Sequence, residues 1–204
     1  MSPRIPLTGL FLTILIFIWS AIGPFDRQTW WMEIAPILIA YPLMIATHRK
    51  FRLTDLLYML VFVHAVILMV GGHYTYARVP LFNMDDGDRN NYDKIGHFAQ
   101  GFIPAIAIRE LLIRTSPLKP GKWLAAIIVF ACLGISALYE LIEFGAGASL
   151  GQGAEEFLGT QGDVWDTQKD MMWAGIGAIT AVALLSKLHT KALEKLLGRP
   201  VADS

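Results

Sequence analysis

The chain has 204 residues, 54% hydrophobic and 17% charged, with 17 Lys and Arg balanced by 17 Asp and Glu. A soluble domain averages about 25% charged residues. Here the apolar excess is gathered in long runs, with a mean hydropathy of +0.48. That excludes a soluble globular domain and predicts one all-α, multi-pass transmembrane bundle over residues 1–204. The balanced charge says nothing about partners: the lipid bilayer is expected as one, nucleic acid is not.

A span needs roughly 20 mostly apolar residues, and the sequence offers six in chain order. The first, Leu7–Ile22, follows Arg4 and two prolines, Pro3 and Pro6. Ala21-Ile22-Gly23 faintly resembles a signal cleavage site, but the poor n-region predicts an uncleaved anchor. The second, Trp30–Thr47, opens with Trp30 and Trp31, and Trp19 closes the first. Such amphipathic rings favour the headgroup level. The third, Leu53–Gly71, holds His64 at mid-span, expected as a bonded core histidine. It runs into Gly71-Gly72-His73-Tyr74-Thr75-Tyr76 and a loop with Asp85, Asp86 and Asp88, which lacks EF-hand spacing and predicts a solvated turn.

The fourth span, His97–Ile113, is opened by Tyr92-Asp93-Lys94-Ile95-Gly96. The fifth, Trp123–Phe144, carries the single cysteine, Cys132, which can form no internal disulfide, and ends in Tyr139-Glu140-Leu141-Ile142-Glu143. Gly145 to Gly153 predict a flexible re-entry loop. The sixth, Met171–Leu188, is preceded by Gly159-Thr160-Gln161-Gly162-Asp163-Val164-Trp165-Asp166-Thr167-Gln168-Lys169-Asp170, and a basic stretch from Lys187 to Arg199 continues it or lies on the inner leaflet.

Charge along alternating loops sets the orientation. With the N-terminus inside, the inner side receives Arg4, Arg49, Lys50, Arg52, Arg109, Arg114, Lys119, Lys122, Lys187, Lys191, Lys195 and Arg199. The outer side keeps Arg27, Arg78, Arg89, Lys94 and Lys169. Both termini are therefore expected to be cytoplasmic, in the inner membrane of a bacterial cell.

Polar groups beside apolar spans carry the functional signal, because they are costly in hydrocarbon. Asp93 and His97 are four apart, on one helical face, so the carboxylate is placed to orient the imidazole. Glu140 and Glu143 are three apart near the outer end of the fifth span. Asp163, Asp166 and Asp170 follow an i, i+3, i+7 pattern, with Asp163 or Asp166 also suited to an N-cap. Acids and a histidine converging from three helices need protons, lysine partners or a cation. Lys94 and Lys169 are placed to neutralise neighbouring acids. His73, Tyr74, Tyr76 and Trp165 are expected to bind a ligand at the rim, with His73 and Tyr74 otherwise serving as interfacial anchors. His48 and His189, on the inner side, read as incidental.

The run from Gly71 to Tyr76, then Tyr92-Asp93-Lys94 with His97-Phe98, then Tyr139 to Glu143, then Leu158 to Asp166, closely resembles the YjdF-type inner-membrane proteins, in matching order over nearly the whole chain. That resemblance implies location and topology rather than chemistry. A looser similarity runs to the VanZ-like membrane proteins through Asp93, Lys94, His97 and Phe98, Glu140 or Glu143, and Asp166 or Asp170. It implies a cell-envelope role. The chain departs from that pattern in its insert between Phe144 and Asp163 and in its extra N-terminal spans, so drug resistance is not carried over.

Three functions fit these residues. The site binds a lipid-linked or other cell-envelope component; or it is a metal-dependent enzyme acting on a lipid headgroup at the outer leaflet; or it serves a proton-coupled transporter. In the enzyme reading a divalent cation is the cofactor, held by Glu140, Glu143, Asp163, Asp166, Asp170 and His97. Asp93 then orients His97, or His97 acts as general base.

Overall fold

A computed structural model describes residues 4–82, 90–150 and 162–201. The described residues form six helices and no strand: α1 (Arg4–Ala21), α2 (Arg27–Thr47), α3 (Asp55–Tyr74), α4 (Tyr92–Thr115), α5 (Lys122–Leu150) and α6 (Asp166–Leu197). Four of them, α2, α3, α5 and α6, are long and apolar enough to cross a membrane. α1 is apolar but shorter. α4 has the length but carries Asp93, Lys94, Arg109, Glu110 and Arg114. Backbone groups in hydrocarbon must bond within their own segment, and the all-helical fold satisfies that.

The helices overrun the apolar stretches that announce them. α4 begins five residues before His97 and so takes Asp93 into the helix. α5 continues through Gly145 and Gly147 to Leu150, where a re-entry loop was expected; residues 151–153 of that expectation, like Asp85, Asp86 and Asp88, lie outside the described residues. α6 extends to Leu197 and stops at Gly198, which takes the left-handed conformation (φ 66°) that favours glycine. The basic stretch from Lys187 to Lys195 thus forms the last turns of α6, and Arg199 follows the cap. α2 starts at Asp26, whose carboxylate accepts the Thr29 N–H at 2.7 Å, an N-cap that holds the acid below the usual carboxylate range.

α4 and α6 are the most closely packed pair. A Cβ added at Gly101 would overlap the Ala174 carbonyl, and one at Gly177 would overlap the Phe98 carbonyl. The two backbones therefore touch, as small residues permit between membrane helices. Around that seam Ala105, Ile106, Leu124, Ile128, Cys132, Ala178 and Ala181 form a buried core with Leu57 of α3. A second core, Trp30, Ile34, Ile37, Ala65 and Met69, joins α2 to α3, and α1 lies along α3.

The two ends of the bundle differ in chemistry. At the end formed by the α4 and α6 C-termini and the α3 N-terminus, Glu110 is fully buried and accepts from Thr54 Oγ1 at 2.7 Å, Arg114 Nη1 at 2.8 Å and the Thr54 N–H at 3.1 Å. His189 Nε2 lies 3.0 Å from Glu110, and its Nδ1 lies 2.8 Å from Arg109. His189 is therefore a fully buried link between α4 and α6 rather than an incidental residue. His48 bonds the Tyr58 hydroxyl at 2.7 Å. The carboxylates highlighted by sequence gather at the opposite end.

Candidate functional site

Five helices and the turn after α3 line a cavity of about 190 Å³. α2 lines it with Thr29, Glu33 and Pro36, α3 with His64 and Leu68, and the turn with Thr75 and Tyr76. α4 supplies Asp93, Gly96, His97, Gln100 and Pro104; α5 supplies Ile135, Tyr139 and Glu143; α6 supplies Asp166 and Asp170. No lysine or arginine lines it among the described residues.

His97 is the hub. Its Nε2 lies 3.3 Å from Asp93 Oδ1, one turn earlier on α4, and 3.7 Å from Asp170 Oδ1 across the seam on α6. Its Nδ1 lies 3.0 Å from Gln100 Oε1 and 4.0 Å from Glu140 Oε1 of α5. Ligand atoms of Asp93, His97 and Asp170 all fall within 4.8 Å of one another, a spacing that one metal ion spans. Two oxygens of this cluster, Glu140 Oε1 and Asp170 Oδ1, are buried and accept no hydrogen bond. Their residues are only 8% and 4% exposed. A buried carboxylate oxygen without a donor is costly, so the cluster calls for a proton, on the acids or on His97 between them, or for a bound cation.

The turn after α3 positions one wall. Thr75 and Tyr76 both take positive φ, 54° and 52°, at a cost of about 1–2 kcal/mol per residue. The chain thereby doubles back, with the Tyr76 N–H bonded to the Gly71 carbonyl at 2.8 Å. The Tyr76 ring then occupies space that side chains at Gly71 and Gly96 would fill. That is the reason for the two glycines: they admit the ring between α3 and α4.

Other expected site residues are placed elsewhere. His73 and Tyr74 turn toward α1, not the cavity: His73 Nδ1 lies 3.0 Å from the Ser20 carbonyl, and its ring stacks on Trp19 at 4.6 Å. Tyr74 faces the same Trp19, with ring centroids 6.3 Å apart. Trp165 is 62% exposed and sits at the start of α6, outside the lining. Asp163 precedes α6 instead of extending its acidic face; it accepts the Trp165 N–H at 3.0 Å and pairs with Lys169 at 2.5 Å. Asp163 thus acts as a local cap, although Trp165 holds the N-cap position, and Lys169 neutralises it as the spacing suggests. Lys94 bonds Asn91 instead of a neighbouring acid. Asp166 and Asp170 keep the expected shared face and line the cavity.

Three lining residues were missed or misread from sequence. Glu33 lies in an otherwise apolar stretch of α2 and receives the Tyr139 hydroxyl at 3.5 Å. Gln100 extends the Asp93–His97 face by one turn. Both carried a legible signal, a polar residue inside a span. His64 is not a bonded core histidine: it lines the cavity, and its Nε2 has no hydrogen-bond partner.

Comparison with known proteins agrees with the architecture. The chain is 47% identical over 199 residues to Inner membrane protein YjdF of Escherichia coli (strain K12), covering 96% of this chain and 95% of that protein. No solved structure matches it. The family model described as "Predicted membrane protein (DUF2238)" matches residues 5–191. With these matches and its apolar helices, the chain belongs to the DUF2238 family of membrane proteins and is a multi-pass protein of the cell inner membrane.

Proposed function

We propose that the cavity holds a divalent cation on Asp93, His97 and Asp170, and through it binds the phosphate of a cell-envelope component. The observation that carries this reading is the pair of buried, donor-less oxygens on Glu140 and Asp170 beside His97, next to a cavity that no lysine or arginine lines among the described residues. A cation satisfies those oxygens, and three protein ligands leave coordination positions open for phosphate oxygens. A mostly carboxylate set with one imidazole suits Mg, Mn or Zn. The positive-inside distribution supports an outward position for this end of the bundle and cytoplasmic termini.

Glu33 and Glu143 favour a second reading. They line the same cavity beyond the three ligands, where a carboxylate is placed to take a proton from metal-bound water. The component would then be hydrolysed rather than only held.

Native mass spectrometry with Mn²⁺ and phosphatidylglycerol separates these outcomes. Binding predicts a retained adduct of metal and lipid that is lost with chelator and in Asp170→Asn. Hydrolysis predicts lipid products that form only with metal. Lipid retention indifferent to chelator and to Asp170→Asn contradicts both.

A further inference from the structure

We infer that the cavity is loaded sideways from the bilayer, through a slot between α2 and α5, by a phosphate-bearing membrane lipid whose tail stays in the slot. This rests on the cation reading above and names its ligand class and route.

The slot follows from how the helices pack. α2 lies along α3, and α5 lies along α4 and α6, but α2 and α5 do not pack along each other. Both nevertheless wall the cavity. Their one described hydrogen bond is from the Tyr139 hydroxyl to Glu33 at 3.5 Å, a length at which such bonds are weak. Ile135 both lines the cavity and is 42% exposed, so the wall is one side chain thick there.

Polarity and size agree with a lipid. Asp93 and Asp170 cluster with His97, whereas Pro36, Leu68, Pro104 and Ile135 give the cavity an apolar portion. On the outer faces beside the slot, Ile39 is 70% exposed and Leu138 58% exposed, surfaces suited to acyl chains. A volume of about 190 Å³ lies below the ~300–1,000 Å³ of pockets that enclose drug-sized ligands. It accommodates a headgroup but not its chains, and the slot provides a place for them. Phosphate oxygens complete the coordination of a cation on Asp93, His97 and Asp170, and the Tyr139–Glu33 contact is the latch that parts on entry.

The test uses the full chain in nanodiscs containing phosphatidylglycerol with a diazirine in its acyl chain, with Mn²⁺ present. Photolysis is expected to label α2 and α5 around Pro36 and Ile135. Ile135→Trp, which fills the slot, should lower that labelling at least five-fold. The lipid-facing Phe130→Trp should retain it, and an unfolding midpoint of Ile135→Trp equal to the parent's separates a blocked slot from a misfolded protein. Mn²⁺ binding by the unaltered protein is measured alongside. Its absence overturns the cation reading and this inference with it. Mn²⁺ binding with labelling spread evenly around the bundle, or equal in Ile135→Trp, overturns the slot alone, as does labelling replaced by cross-linked pairs of chains.

Discussion

Asp170 of α6 brings a buried oxygen to within 3.7 Å of His97 Nε2 on α4. The approach depends on backbone contact: Gly101 and Gly177 let the two helices touch between these residues and the core below. The geometry of the site and the packing of the bundle are therefore one problem.

Gly101→Ala should lower stability by about 1–3 kcal/mol, the usual cost of overpacking, because its Cβ meets a backbone carbonyl that has little room to move. Gly134→Ala on α5 meets nothing within 4 Å and should leave stability unchanged or raise it by up to about 1 kcal/mol. Thermal unfolding in one detergent compares the two. Equal midpoints would show that the α4–α6 backbones are not in contact.

At the opposite end, Glu110→Ala removes the acceptor shared by Thr54, Arg114 and His189. Removing one member of a buried ionic network costs about 3–5 kcal/mol, since the remaining groups lose their counter-charge. A steep fall in the yield of folded protein is expected, with a smaller one for His189→Ala. A shift below about 1 kcal/mol for Glu110→Ala in denaturant titration would show that water replaces the carboxylate and that the cluster is not sealed.

Asp26→Ala should cost about 1 kcal/mol as a lost N-cap. Its carboxyl titrates below the ordinary value of 3.8 in the folded chain, chiefly because it accepts the Thr29 N–H. The folded state therefore favours the ionised form. The resulting stability is present above the unfolded pKa and disappears as pH falls through the folded one. The difference between parent and variant should thus be constant from pH 5 to 8 (about the range of maximal stability) and shrink in stronger acid. A difference that grows on acidification contradicts the cap.

Tyr76→Phe keeps the ring between Gly71 and Gly96 and should fold like the parent. Tyr76→Ala should lose about 3 kcal/mol or more from the cavity it leaves. Equal unfolding midpoints for the two variants would show that the ring does not fill that space.

Orientation is tested from outside the cell. A cysteine introduced at Lys191, in the basic part of α6, should react with an impermeant maleimide only after the inner membrane is opened. One at Val164, which is 85% exposed beside the acidic end, should react in intact spheroplasts. The reverse pattern would invert the bundle.

The helices were legible because lipid demands long apolar runs, and their periodicity places Asp93 and His97, or Asp166 and Asp170, on shared faces. Their ends were less legible, since hydropathy fades at the headgroup level while the helix continues: Asp93 and Gly145 both lie inside helices. The site was legible in residue type but not in partition. His73 and Tyr76 are three residues apart, yet two left-handed residues send Tyr76 into the cavity while His73 stacks on α1. No periodicity announces such a turn. Glu33 belongs to the site only because α2 leans on α3, and His189 is an internal link only because Glu110 and Arg109 meet it from another helix. Those are tertiary facts.

The proposed function stands on a cation site formed by the acids around His97. Its most direct test is the divalent metal content of the detergent-purified protein, compared with a His97→Ala, Asp166→Ala double variant and with Asp170→Asn. About one metal per chain is expected in the parent, with at least a ten-fold loss in both variants and helical content unchanged. No metal in a well-folded parent, even after incubation with Mg, Mn or Zn, would contradict it; the carboxylates would then be held by protons or by one another.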